Sequence, residues 1–308
     1  MGKISNIDTG ILEKIGVLEN VFSGAHNIRS NGVAVSRSTS KNINIDSREN
    51  NSGIIVTIEE NTIGEEVHVP VILSNEDYTD TVNNIFEVGK FSDVTVVSGC
   101  GVHNHGKFKT EHDGTHEIYV REGAKLKYIE KHYAEGNSSA KKVFKTITKI
   151  YVEKDGVLEM ELSQIKGVDY GEKEMEIHLS ENASLKISEK MMTDGEQVSK
   201  SNVVVELNGT NSSAQVVSRS VAKDNSEQKF YFSLKGQNKS KGHIECDSII
   251  MGNARVTSIP ALEAFHVDAA LIHEAAIGKI ASEQLMKLMS LGLSEKEAEE
   301  TILEGFLK

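Results

Sequence analysis

Ile150-Tyr151-Val152-Glu153-Lys154-Asp155-Gly156-Val157-Leu158 is an apolar alternation, a polar turn with glycine, and the start of a second apolar alternation. Side chains of an extended chain point alternately to two faces, so Ile150 and Val152 share one face and Tyr151 takes the other. The phrase also stands at Ile118-Tyr119-Val120-Arg121-Glu122-Gly123-Ala124-Lys125-Leu126 and at Ile177-His178-Leu179-Ser180-Glu181-Asn182-Ala183-Ser184-Leu185. Weaker echoes lie at Val88-Gly89 and at Val205-Glu206-Leu207-Asn208-Gly209. The turn residues fall at 123, 156, 182 and 209, a period of roughly 26–33 residues, which is the range of stacked repeats.

One such rung cannot bury its own apolar face, so neighbours must stack into a continuous core. The pattern predicts a β-solenoid, with a β-sandwich of regular hairpins as the competing fold. Short alternating runs continue outward from about Val33 to Ile277. Before them, Ile11, Leu12, Ile15 and Leu18 give one apolar helical face. After them, Ser282 is placed to cap a helix carrying Leu285, Leu288 and Met289 that stops at Gly292. Ser294-Glu295-Lys296-Glu297 is a capping box, opening a second helix with Ala298, Ile302 and Phe306 on one face. A terminal helix pair suits a cap on the open end of a solenoid, a docking surface, or both.

Composition narrows the function. The 308 residues carry a net charge of −12, with 38% hydrophobic residues, no Trp, two Pro and 5% aromatics. That fits many short strands around a slim aliphatic core. An acidic chain repels phosphate backbones, which argues against a nucleic-acid partner. No stretch reaches the roughly 20 apolar residues of a membrane span, and Met1–Asp8 has no apolar core of the signal-peptide kind. The expectation is a cytoplasmic protein whose Cys100 and Cys246 are reduced thiols. A β-helix acting on polysaccharide would need more aromatics and export.

Three places hold groups able to do chemistry. Cys100, His103, His105 and His112, with Asp113 and His116 close behind, combine thiolate and imidazole donors suited to zinc, copper or iron. Solvent-facing histidines on a polar loop are the plainer reading. Gly101–Lys107 brushes against a phosphate-binding loop, but Phe108 stands where Ser or Thr should be, so any ATPase must be another subunit. Cys246, in Gly242-His243-Ile244-Glu245-Cys246-Asp247-Ser248-Ile249-Ile250, shares a face with Ile244, Ser248 and Ile250 and reads by itself as a small core residue. The pair His273-Glu274 stands just before the terminal helices, as a salt bridge, a cap or a ligand pair.

The end of the chain resembles the C-terminal signature of the SufB/SufD family. Ser258-Ile259-Pro260-Ala261-Leu262-Glu263, Ile272-His273-Glu274-Ala275-Ala276-Ile277-Gly278-Lys279-Ile280, Glu283-Gln284-Leu285, Gly292-Leu293-Ser294-Glu295 and Glu304-Gly305-Phe306 carry the likeness in order and spacing. Cys246-Asp247-Ser248-Ile249-Ile250, Gly99-Cys100 and Glu117–Leu126 resemble further segments of SufB, so the likeness spans roughly residues 85–308.

The resemblance implies an all-β core that is a right-handed parallel β-helix with a helical C-terminal subdomain. It implies a non-catalytic scaffold for iron–sulfur cluster assembly, a homodimer through the β-helix, a SufC-like ABC ATPase as partner, and sulfur from a cysteine desulfurase. The cargo is a transient iron–sulfur cluster, expected as 4Fe-4S. Cys246, His273 and Glu274 match residues implicated in cluster assembly, and Cys100 one that receives sulfur. The alternative function is a mononuclear metal protein using Cys100, His103, His105 and His112. Glu283, Gln284, Leu285, Leu288, Met289 and Phe306 are the expected ATPase-docking residues. Two departures stand out: the chain is shorter than larger SufB proteins, and Glu130-Lys131-His132-Tyr133 replaces a Trp-containing stretch, so a sulfur route does not transfer unchanged. The expected division is a helical segment over 1–32, the β-helix over 33–262 and the helical subdomain over 263–308.

Overall fold

The computed structural model describes residues 6–16, 22, 24–49, 52–136 and 139–308. Two long sheets face each other. Sheet A runs through β2 (Val33–Ser38), β1 (Ala25–Ser30), β5 (Ile63–Leu73), β7 (Asp93–Asn104), β9 (Lys125–Gly136), β11 (Val157–Lys166), β13 (Ser184–Thr193), β15 (Ser212–Ala222), β17 (Ser240–Ile250) and β19 (Ala269–Gly278). Sheet B runs through β3 (Ile43–Ser47), β4 (Ile54–Ile58), β6 (Tyr78–Val88), β8 (Thr110–Val120), β10 (Lys142–Val152), β12 (Tyr170–Leu179), β14 (Val198–Leu207), β16 (Glu227–Gly236) and β18 (Arg255–Ala264). The chain alternates between the sheets, and each strand from β5 on pairs in parallel with the strand two ahead of it. The result is a parallel β-solenoid of about 8 turns, as the repeated phrase predicts.

Register explains why the phrase recurs. Ile118, Ile150 and Ile177 lie side by side, and so do Val120, Val152 and Leu179. All six are buried, each contributing about 1.5–3 kcal/mol of transfer free energy. Residues with positive φ mark one corner of successive turns: Phe91 (57°), Gly123 (66°), Asp155 (57°), Asn182 (54°) and Asn211 (60°). The left-handed residue is therefore Asp155 rather than Gly156, and Asn211 rather than Gly209. Asn and Asp tolerate this conformation because their short side chains bond locally. Here they bond along the ladder, with Asn182 Nδ2 donating to Asp155 Oδ1 at 2.8 Å.

The N-terminal helix α1 (Asn6–Lys14) packs on the outer face of sheet A. Its Ile11 and Leu12, with Ile15 just beyond, join Ile28, Ile72, Val97 and Tyr133 in a small core. Leu18 lies outside the described residues. Strands begin at Ala25 and continue to Gly278, so the stacked region starts before 33 and runs beyond 262. Only then come α2 (Ser282–Ser290) and α3 (Glu295–Leu307). Ala281, not Ser282, is the N-cap of α2, and no side chain caps it. The capping box at Ser294 and Glu297 forms as expected. Among the described residues, no helix is long and apolar enough to cross a membrane.

Candidate functional site

The interior is split lengthwise. One half is aliphatic, built from columns such as Val94-Leu126-Leu158-Leu185 on sheet A. The other half is polar. On sheet A one inward column runs Ser98-Glu130-Leu162-Glu189-Ser218-Cys246-Ala275. The next runs Cys100-His132-Gln164-Met191-Ser220-Ser248-Ile277. Both cysteines are free, buried, and face this half.

Around Cys100 the polar groups pair closely. Arg29 Nη2 donates to Asp80 Oδ1 at 2.9 Å, and His112 Nδ1 lies 3.4 Å from Asp80 Oδ2. Tyr128 donates to Glu130 at 3.0 Å, while His132 Nε2 lies 3.2 Å from Glu130 and its ring stacks on Phe144. Burial pushes the Cys100 thiol well above its ordinary range, and the nearby carboxylates Asp80 and Glu130 add to the shift. Burial likewise holds His116 and His132 neutral, down to about 4. Further along, Lys173 pairs with Glu189, whose oxygens accept from Ser201 and Ser218 at 2.9 Å each. Such paired and hydrogen-bonded groups are what a low-dielectric interior tolerates.

Cys246 lies near the last turn. Its neighbours across the strands are Ser218 and Ala275, and His273 sits one inward position away on β19. Burial raises the Cys246 thiol to about 12, partly offset by a hydrogen bond with Ser258 on the opposite sheet. Among the described residues, the buried His273 Nε2 has no hydrogen-bond partner, and the buried Ser258 Oγ has none beyond that thiol. Burial also lowers the pKa of His273, leaving a neutral imidazole. Such an imidazole has a lone pair for a metal.

The structure thus brings Cys246 and His273 to one face and sends Glu274 to the other. There Glu274 Oε2 stands 3.6 Å from His243 Nε2. It also divides the expected metal set. Cys100 and His112 point inward, while His103 points outward and lies 2.9 Å from Glu135, with the His105 ring against it. A two-residue repeat on one strand cannot turn Cys100 and His103 to the same side. Among the described residues, no group of three His, Cys, Asp or Glu side chains is close enough to hold a metal ion. The loop resembling a phosphate binder leads into strand β8 rather than a helix.

Glu130 and His132, quoted from the sequence only as part of a departing stretch, and Lys173 and Glu189, not named from it at all, are inward residues of this interior. Alternation through Leu126, Tyr128 and Glu130 was the available signal, since it places a carboxylate on the core face.

Beyond β19 and β18 the two sheets end. Ile259, Leu262, Ile272 and Ile277 are exposed on these last strands. In α2 no residue is buried, and Met286 and Met289 face outward. The Phe306 carbonyl of α3 accepts from Arg219 on the outer face of sheet A at 3.4 Å.

A stacked-strand solenoid with an interior lined by thiols, imidazoles and carboxylates, open at one end beside a helix pair, defines the class: a β-solenoid with soft donors at its free edge. The family model of the SUF system FeS cluster assembly SufBD core domain matches residues 71–306. An iron–sulfur cluster assembly SufBD family protein of Methanocaldococcus jannaschii is 30% identical, over 78% of this chain and 76% of its own length. One of Pyrococcus horikoshii is 30% identical over 76% of this chain and 71% of that protein. One of Methanothermobacter thermautotrophicus is 28% identical over 77% of this chain, which covers only 57% of that longer relative. The chain belongs to the SufB/SufD family, and its role lies in iron–sulfur cluster assembly.

Proposed function

We propose that this protein is a non-catalytic scaffold subunit on which a cluster is assembled from sulfur and iron where two copies meet through the edges of β18 and β19. One observation carries the reading: Cys246 and His273 face the same side of the last two strands of sheet A, Ser258 reaches the Cys246 thiol from the opposite sheet, and the sheet end beyond them exposes apolar side chains. Unpaired edge strands template pairing with another chain. Each chain brings too few thiolates for a cluster, and a twofold axis doubles them. With its pKa near 12 the Cys246 thiol is protonated at rest. Iron would displace that proton, as metals do from coordinating thiols. Cys100 is the proposed sulfur acceptor, fed by a cysteine desulfurase, and the polar columns lead from it toward Cys246. Glu274 with His243 would serve the outer side of the same edge. The cargo is a transient 4Fe-4S cluster.

The exposed face of α2, through Glu283, Gln284, Leu285, Leu288 and Met289, with Phe306 on α3, is the proposed seat of a SufC-like ABC ATPase. Such an enzyme would act by favouring one of two dimer arrangements. The whole assembly would work in the cytoplasm. The test is anaerobic reconstitution with iron and sulfide on the wild type and on Cys246→Ala. Bound iron and labile sulfide are expected in the first and lost in the second. Equal amounts in both would refute the assignment of Cys246.

A further inference from the structure

The opposite end of the solenoid holds a cavity of about 280 Å³ between the first turns of the two sheets. Its polar wall is Asn27, Arg29, Arg37, Ser47 and Asn84, and its apolar wall includes Val69, Val71 and Val82. Among the described residues no carboxylate lines it. In a chain of net charge −12, two guanidinium groups facing one cavity without an acid in its wall are out of character.

The two arginines differ. Arg29 is committed to Asp80. Arg37 Nε donates to Asn27 Oδ1 at 2.8 Å and its Nη1 to Ser47 Oγ at 2.9 Å, both neutral acceptors. Among the described residues Arg37 has no carboxylate partner. Those bonds fix the plane of the guanidinium and leave further N–H groups of its rigid fork for a ligand. A half-buried cation held by neutral groups is short of countercharge, and a planar oxyanion supplies it with two parallel hydrogen bonds. The apolar wall behind selects for a ligand with a short hydrocarbon part rather than a fully hydrated inorganic ion.

We propose that this cavity binds a small organic carboxylate, with Arg37 as the group that holds the carboxyl and Val69, Val71 and Val82 as the seat of the hydrocarbon part. The site goes beyond the scaffold role. Its nearest link to that role is Val71, the strand neighbour of Cys100.

The probe is sodium isobutyrate, with sodium phosphate as the inorganic anion and sodium chloride at matched ionic strength as reference. Ligand that binds only the folded chain raises its unfolding temperature, by an amount set by concentration over Kd, so about 10 mM probe reveals millimolar binding. The wild type is expected to be stabilised by isobutyrate and not by phosphate. Arg37→Gln is expected to lose at least about tenfold in affinity, the worth of a charge-assisted pair. Ala34→Leu, at an exposed position lining the cavity, is expected to block binding while folding normally. Stabilisation by phosphate alone, no stabilisation by either anion, or equal isobutyrate affinity in folded Arg37→Gln would each overturn the proposal. None of these results bears on cluster assembly at Cys246.

Discussion

Cys100 and Cys246 face the same interior from adjacent inward columns of sheet A, with β9, β11, β13 and β15 between their strands. At a spacing of about 4.8 Å per strand they are roughly 24 Å apart along the axis. No disulfide is compatible with that separation. Between them lie Glu130, His132, Gln164, Glu189, Ser218 and Ser220, a polar strip inside a protein core. Polar groups buried in such number need partners, and here they find them in one another.

The opposite orientations of His273 and Glu274 separate their roles. His273→Ala is expected to lower the iron and sulfide retained after anaerobic reconstitution several-fold. Glu274→Ala, changing only the outer face, is expected to retain most of it. The comparison is made by counting iron and labile sulfide on folded, purified variants, and the reverse ranking would contradict the interior site.

Acid should weaken the fold. His116 and His132 titrate at about 4 in the native chain because burial disfavours the charged ring. Unfolded histidine titrates near 6.5, so between these values the unfolded chain binds more protons. Stability is full above about pH 6.5 and falls toward pH 4, by about 3 kcal/mol for one such histidine acting alone. Glu130 works in the same direction at lower pH: burial would raise its pKa, but His132 and His116 hold it below the usual range. Its contribution is present above the ordinary carboxylate value and is lost as pH falls through the native one. Urea midpoints across this range should fall steadily, and His116→Leu should flatten the slope.

Gly101 allows α1 to lie on β7, and Gly99 allows the backbone of β9 to lie close beside it. A Cβ at Gly101 would stand 1.9 Å from Ile11 Cγ2, and one at Gly99 would stand 2.8 Å from the Lys131 carbonyl. Gly101→Ala is expected to lift α1 at a cost of about 1–3 kcal/mol, seen as faster proteolysis within α1 while the solenoid stays intact. Gly10→Ala, within the helix and with open space around its added methyl, should instead stabilise by about 0.5–1 kcal/mol.

Lysine on an exposed edge discourages strand pairing. Ile272→Lys on β19 is expected to convert the proposed dimer to monomer by sedimentation velocity. Val204→Lys, on the outer face of the interior strand β14, should leave the mass unchanged. Dimers surviving in Ile272→Lys would move the interface away from this edge.

The repeated phrase around Ile118, Ile150 and Ile177 made short strands joined by polar corners legible, because period-two alternation is a local property of the chain, while the choice of a solenoid over a sandwich drew on the resemblance carried by the end of the chain. The inward face of Cys246, with Ile244 and Ser248, was legible for the same reason. What alternation along one strand cannot reveal is which strands lie beside each other and what faces them across the interior. Only the stacking decided that Cys246 faces Ser258 across the interior and shares its side of sheet A with His273, and that Glu130 and Glu189 share a buried strip. Those relations join residues tens of positions apart, and they arise from the register of neighbouring turns and the closing of two sheets over one core.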